Sequence, residues 1–173
     1  MRHVKQEISD ITIIDKILST SEICRLGFMD NDRPYILPFN YGYKDNCIYI
    51  HCAKEGKKID LIKKNNYVCI EIEQITRIER YEKACKWATT YQSIVGYGTV
   101  EIITDYDQKR KGLDVIMEHN GANSTHDLDY EKNQVDSMSI LKVEITEITG
   151  KQSSNWNEKE FKINKSTNRQ QRV

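Results

Sequence analysis

Three side chains carry most of the chemical interest of this sequence: His51, Lys57 and Lys58, set around Gly56. A glycine turn that opens a helix leaves several backbone N–H groups without partners inside the helix, all near one spot. With two ammonium groups beside it, that spot suits an anion, and a phosphate above all. Residues 47–64 also read as an ordinary strand, turn and helix whose lysines are simply solvated, because charge runs usually face water. Both lysines are expected to be solvated when no phosphate is present. His51 is the group best placed for proton chemistry, since an imidazole can hold a ligand or pass a proton near neutral pH. Cys52 adjoins it, but neighbours on a strand point to opposite faces, which argues against a Cys–His nucleophile. Trp87, Tyr91 and Tyr41 suit either stacking on a ring system or filling a core.

The elements that must position these groups are mostly strands. Residues 47–51 are β-branched and aromatic, and after Gly56 the spacing of Ile59, Leu61 and Ile62 gives a helix that stops at Asn65-Asn66. Upstream, Asp10 caps a helix whose apolar face is Ile13, Ile14, Ile17 and Leu18. Residues 23–28 and 35–43 form a hairpin across the turn Asp30-Asn31-Asp32, and Pro38 demands an edge, a bulge or an irregular end there. Downstream, residues 67–73 alternate as a half-wet strand, whereas residues 74–90 read as charged and irregular. Residues 91–104 form a long strand bent or bulged at Gly96 and Gly98. Thr104 and Asp107 make a capping-box-like start to a helix with Leu113, Ile116 and Met117 inside and Gly121 as C-cap. Residues 122–137 read as a polar loop, and residues 139–149 as the last strand. The expected whole is a single domain over residues 1–151, mainly β (α+β), a small antiparallel barrel with peripheral helices. Residues 152–173 are expected to be a polar, partly mobile tail with Trp156, Phe161 and Ile163 as its anchors.

Composition narrows the function classes. The 173 residues hold 26 Lys plus Arg against 26 Asp plus Glu, so nothing suggests a nucleic-acid binder working through bulk charge. No apolar run reaches bilayer length, and the opening Met-Arg-His-Val-Lys-Gln-Glu lacks the apolar stretch of a signal peptide. Five cysteines with no C-x-x-C pair suit reduced, buried thiols of a cytoplasmic protein and speak against a zinc site.

Four segments occur in an informative order. They are Pro38-Phe39-Asn40-Tyr41-Gly42-Tyr43, His51-Cys52-Ala53-Lys54-Glu55-Gly56-Lys57-Lys58-Ile59-Asp60-Leu61, Tyr91-Gln92-Ser93-Ile94-Val95-Gly96-Tyr97-Gly98 and Ile145-Thr146-Glu147-Ile148-Thr149-Gly150-Lys151. Together, over about residues 5–151, they resemble the nitroimidazole-resistance family of the pyridoxamine-phosphate-oxidase-like split-barrel flavoproteins. The resemblance implies an FMN-binding type of split β-barrel that forms a homodimer, with a flavin, FMN ahead of FAD, at each end of the subunit interface. It carries flavin contacts onto Pro38, Phe39, Asn40 and Tyr41 beside the ring, and onto His51, Cys52 and Ala53 at the strand end. It carries phosphate contacts onto Lys57 and Lys58, and contacts near the phosphate and ribityl chain onto Ser93 and Ile94. Ile94 stands where the family pattern has valine, and the sequence departs most in residues 122–137 and in the tail. The implied activity is flavin-dependent reduction of nitro-aromatic compounds such as 5-nitroimidazoles, with His51 as the catalytic group. The alternatives are a protein that holds flavin without turnover, or an oxidase or reductase of another small substrate.

Overall fold

Alternation of apolar and polar residues puts nearly half of the described residues into sheet. The computed structural model describes residues 6–122 and 128–157, without the side chains of 75–77. Among these lie eight strands: β1 (Glu7–Ile8), β2 (Ile23–Asp30), β3 (Arg33–Asn40), β4 (Gly42–Lys44), β5 (Cys47–Ala53), β6 (Tyr67–Glu79), β7 (Ala88–Ile103) and β8 (Met138–Gln152). Four helices accompany them: α1 (Ile11–Thr20), α2 (Lys57–Lys64), α3 (Tyr106–His119) and α4 (Lys132–Ser137). The strands make one antiparallel sheet in the order β3-β2-β6-β7-β8-β5-β4, with β1 added to β8. The sheet curls around a core but leaves β3 and β4 as separate ends, so the barrel is split. Pro34 and Pro38 both sit on β3, an edge strand, where a missing N–H is tolerated.

Neighbouring residues of β8 divide the interior in two. Leu141 faces the main core, with Leu26, Ile70, Ile72, Ile94 and the apolar faces of α1 and α2. Ile140 points the other way, into a second cluster with Ile103, Leu113, Ile116 and Val135 beneath α3 and α4. α3 lies so close to β4 that a β-carbon on Gly42 would stand 2.6 Å from backbone atoms of Val115 and Ile116. Asp10 caps α1 as expected, its carboxylate accepting the Thr12 N–H at 2.9 Å.

Several expectations need correction. The strand expected over residues 35–43 is two, β3 and β4, at opposite ends of the sheet. Met117, expected on the inner face of α3, is exposed. Residues 74–90 are not irregular throughout: β6 and β7 continue as a two-stranded ribbon to the pair Glu79–Ala88, past a register shift between Ile75 and Arg77. Backbone pairing carries the ribbon beyond the core, so no apolar alternation marks it. The start of α3 is capped by Asp105, which accepts the Gln108 N–H at 3.0 Å, rather than by Thr104 with Asp107. Gly121 falls one residue past the C-cap Asn120, at φ 101°. Residues 122–137 include α4, held down by buried Val135 and by the buried Lys109, whose ammonium donates to the carbonyls of Val135 (2.6 Å) and Met138 (3.1 Å). The bend expected at Gly96 and Gly98 is present as a register shift between Tyr97 and Gly98.

β8 ends at Gln152, and Ser153 still bonds to Tyr91, donating its N–H to the Tyr91 carbonyl at 2.9 Å. Trp156 is half-buried, while Phe161 and Ile163 lie outside the described residues. All five cysteines are free. Among the described residues no helix is long and apolar enough to cross a membrane, and no cluster of metal-ligating side chains occurs.

Candidate functional site

β5 hands over to α2 through Gly56, whose φ of 114° is a left-handed value that favours glycine. Ile59 and Asp60 donate their N–H groups back to the Gly56 carbonyl at 2.8 and 3.2 Å, and no side chain caps the helix. A β-carbon at Gly56 would meet nothing within 4 Å, so the start of α2 faces open space. The helix is anchored from beneath by Ile59, Leu61 and Ile62, all buried. An uncapped, rigidly seated helix start is a fitting place for an anion.

Lys57 is exposed, as expected from the sequence, but it is paired rather than free. Its ammonium lies 2.7 Å from the Asp30 carboxylate at the end of β2 and 4.5 Å from the centre of the Tyr35 ring on β3. The hydrogen bond to Asp30 holds the Lys57 ammonium above the usual lysine range. Lys58 is half-buried, on the side of Cys52. Burial pushes the Cys52 thiol up, and the Lys58 charge offsets only part of that, so the thiol stays protonated and faces the core. His51, one residue earlier, is exposed on the outer face of β5, opposite Ile140 in the sheet register.

The period of two along each strand sorts the remaining candidates. Pro38, Asn40 and Ala53 are exposed and Ser93 is half-exposed. Phe39 is half-buried and packs on the main core, while Tyr41 and Ile94 are fully buried in it. An inward residue can offer a ligand only its backbone. Tyr41 in particular is committed elsewhere: its hydroxyl donates to the Leu18 carbonyl at 2.7 Å, and its ring lies 4.6 Å from that of His119. Burial raises its phenol above the ordinary tyrosine value. Of the other ring candidates, Trp87 is half-exposed beyond the ribbon's end and donates its indole N–H to the Tyr81 carbonyl at 2.7 Å, with Arg80 stacked 5.6 Å from its ring. Tyr91 is half-buried, with the Lys151 ammonium 5.7 Å from its ring.

Several participants escape sequence reasoning. Asp30 and Tyr35 meet Lys57 only because the β2–β3 hairpin packs beside α2. Arg25 bridges Glu71 (2.9 Å) and Glu73 (3.2 Å) on the outer sheet face. Its outward phase on β2 could have been read from alternation, but its partners depend on the β2–β6 register. The same face carries exposed apolar side chains: Ile36 (60%), Met29 (51%), Val95 (43%) and Tyr97 (40%). Tyr67 and Tyr97 stack there with parallel rings 5.8 Å apart. A separate cleft of about 660 Å³ lies between α3 and the strands, lined among others by Tyr49, Glu101 and Lys142. None of the candidate residues lines it.

Comparison with known proteins bears on this arrangement. Residues 10–152 match the family model described as pyridoxamine 5'-phosphate oxidase. A solved structure from Bacteroides thetaiotaomicron, of a protein assigned to 5-nitroimidazole antibiotic resistance, is 31% identical, with a TM-score of 0.72 over 84% of this chain and 85% of that one. An FAD and heme binding protein from Mycobacterium smegmatis shares the fold at a TM-score of 0.78 and 16% identity, over 91% of this chain and 79% of that one. A flavocytochrome from Azotobacter vinelandii does so at 0.73 and 15%, over 94% and 77%. No curated protein matches the chain significantly. With the split sheet and with a family match that spans nearly all described residues, the chain belongs to the pyridoxamine 5'-phosphate oxidase family, beside its 5-nitroimidazole-resistance relatives.

Proposed function

We propose that this protein is a flavin-dependent oxidoreductase, active as a homodimer, that reduces small nitro-aromatic compounds of the 5-nitroimidazole type. The observation that carries the reading is the open, uncapped start of α2, with Lys57 and Lys58 beside it and exposed His51 in the second half of β5, the strand that feeds it. Two ammonium groups and amide donors in one place fit the phosphate end of a flavin. The bound flavin would supply the electron transfer. The chain's own residues do the rest. Lys58 and the first N–H groups of α2 hold the phosphate. Pro38, Asn40 and Ser93 present their outward atoms beside the ring. His51 holds the electron-poor ligand or gives it a proton at an imidazole nitrogen. The apolar outer sheet face meets its copy in the second subunit and keeps water away from the ring.

Replacing Lys57 and Lys58 together by Ala tests the phosphate end. Each charge-assisted hydrogen bond to a phosphate contributes on the order of 1.5–3 kcal/mol. Flavin should therefore bind at least about tenfold more weakly in a titration, by about 1.4 kcal/mol per decade. The fold should survive, since both side chains reach solvent. Unchanged flavin affinity would reject this site. Anaerobic stopped-flow then tests the activity. Flavin reoxidation that tracks loss of the nitro chromophore supports the enzyme, and a reduced flavin left inert by a nitroimidazole removes it.

A further inference from the structure

The cleft of about 660 Å³ between α3 and the strands holds none of the residues assigned to flavin. Its floor is one row of the sheet. Glu101 of β7, Lys142 of β8 and Tyr49 of β5 stand directly opposite one another in the two registers, so their side chains leave the same face. α3 forms the wall and contributes Lys111 and Glu118. Gly112 lets this helix sit low: a β-carbon there would stand 2.9 Å from the Ile140 side chain and 3.5 Å from the Tyr49 ring. Buried Ile103 and Val115 and the half-buried Tyr49 ring make part of the lining apolar.

Opposite charges at directly paired strand positions have their β-carbons about 5 Å apart and attract each other. Glu101 and Lys142 nevertheless stay open. Among the described residues neither joins an ion pair, and neither do Lys111 and Glu118. Asp114, the other acid of the lining, already accepts the Tyr130 hydroxyl at 3.0 Å. Burial pushes the Tyr49 phenol up, so it remains a neutral O–H donor. A lone anion in the cleft would face Glu101 and Glu118, and a lone cation would face Lys142 and Lys111. A ligand with one charge of each sign satisfies both, and a cleft of this volume holds a small molecule.

We infer that this cleft binds a small zwitterion of the amino-acid class with an aromatic or other apolar side chain. Lys142 takes the carboxylate, Glu101 takes the ammonium, and the side chain lies over Tyr49. The site is separate from the one proposed for flavin and does not depend on it. One unit charge at about 4 Å from another in water corresponds to about fivefold in affinity, and that is the loss expected for each charge removed.

The experiment is isothermal titration calorimetry of the protein as purified, near neutral pH, with three probes. They are L-phenylalanine, 3-phenylpropanoate, which lacks the ammonium, and 2-phenylethylamine, which lacks the carboxylate. Phenylalanine should bind about fivefold more tightly than either analogue. Lys142→Met should weaken phenylalanine and phenylpropanoate about fivefold without weakening phenylethylamine. Glu101→Gln should weaken phenylalanine and phenylethylamine and spare phenylpropanoate. The unfolding midpoint reports whether each variant still folds, and if one does not, the three probes on the native protein decide alone. No phenylalanine binding at millimolar concentration overturns the inference. Equal binding of all three probes does so too, as does phenylalanine binding that neither folded variant changes.

Discussion

An imidazole on the wet side of a strand costs the fold little, and His51 is such a group. His51→Ala should leave thermal stability within about 1 kcal/mol and flavin content unchanged, because the site has no packing to lose. Reduction of a nitro-aromatic should slow by about 10²-fold, the scale on which a lost general acid is felt. A variant that loses flavin and stability together would make His51 structural, and one that turns over normally would make it a bystander. The outward phase of His51 is legible in the sequence from the alternation of its strand, although that strand runs two residues further, to Ala53, than the sequence suggests. The same alternation also explains why Cys52 and Ile94 are buried next to outward His51 and Ser93. What a single sequence hides is the pairing of Lys57 with Asp30, since two separate elements must pack before those side chains meet.

α3 is set by what β4 lacks. Gly42→Ala would push a methyl group into the backbone of Val115 and Ile116, atoms that cannot rotate away. Overpacking of this sort usually costs about 1–3 kcal/mol. The urea midpoint should fall by a corresponding amount with an unchanged slope. An unshifted midpoint would mean that α3 has room to move. Elements with an apolar period, such as the half-wet start of β6, the apolar faces of α1 and α2, and β8, can be read directly from their residues. The outer ribbon of β6 and β7 cannot, because Arg77 and Glu79 break the apolar alternation while backbone pairing continues to Glu79–Ala88. α4 cannot either, being a single polar helix fixed by Val135 and by an ammonium from a distant helix. The cap at Asp105 instead of Thr104 is a smaller miss, decided by which oxygen reaches an N–H of the first turn.

On the scale of the whole molecule, the outer face around Ile36, Met29, Val95 and Tyr97 is the feature to be explained. Exposed apolar side chains gathered on one face suit an interaction site. A two-fold contact would bury it and its stacked Tyr67–Tyr97 pair against the same surface of a second copy. Light scattering should find a homodimer, and Val95→Lys with Tyr97→Lys should give monomers that bind flavin more weakly, as follows from the proposed flavin site between subunits. A native monomer carrying its full flavin would contradict this. An antiparallel barrel was foreseeable from hairpins lacking crossover helices, and its split form from the family resemblance, but this surface was not. Its residues come from four strands whose neighbours are set by the sheet order rather than by the order of the chain.

The Asp30–Lys57 pair has a consequence for life in a crowded solution. Two bare ammonium groups at an open helix start would behave like a grain of anion-exchange resin. They would be occupied much of the time by whatever small phosphates are abundant. A protein that carries its own counter-ion at that spot starts with one positive charge rather than two, and common anions are held there less firmly. On the proposed reading, a ligand that stays would bring other contacts, along the outer sheet face and beside His51. Selectivity then comes from the length of the molecule rather than from its charge.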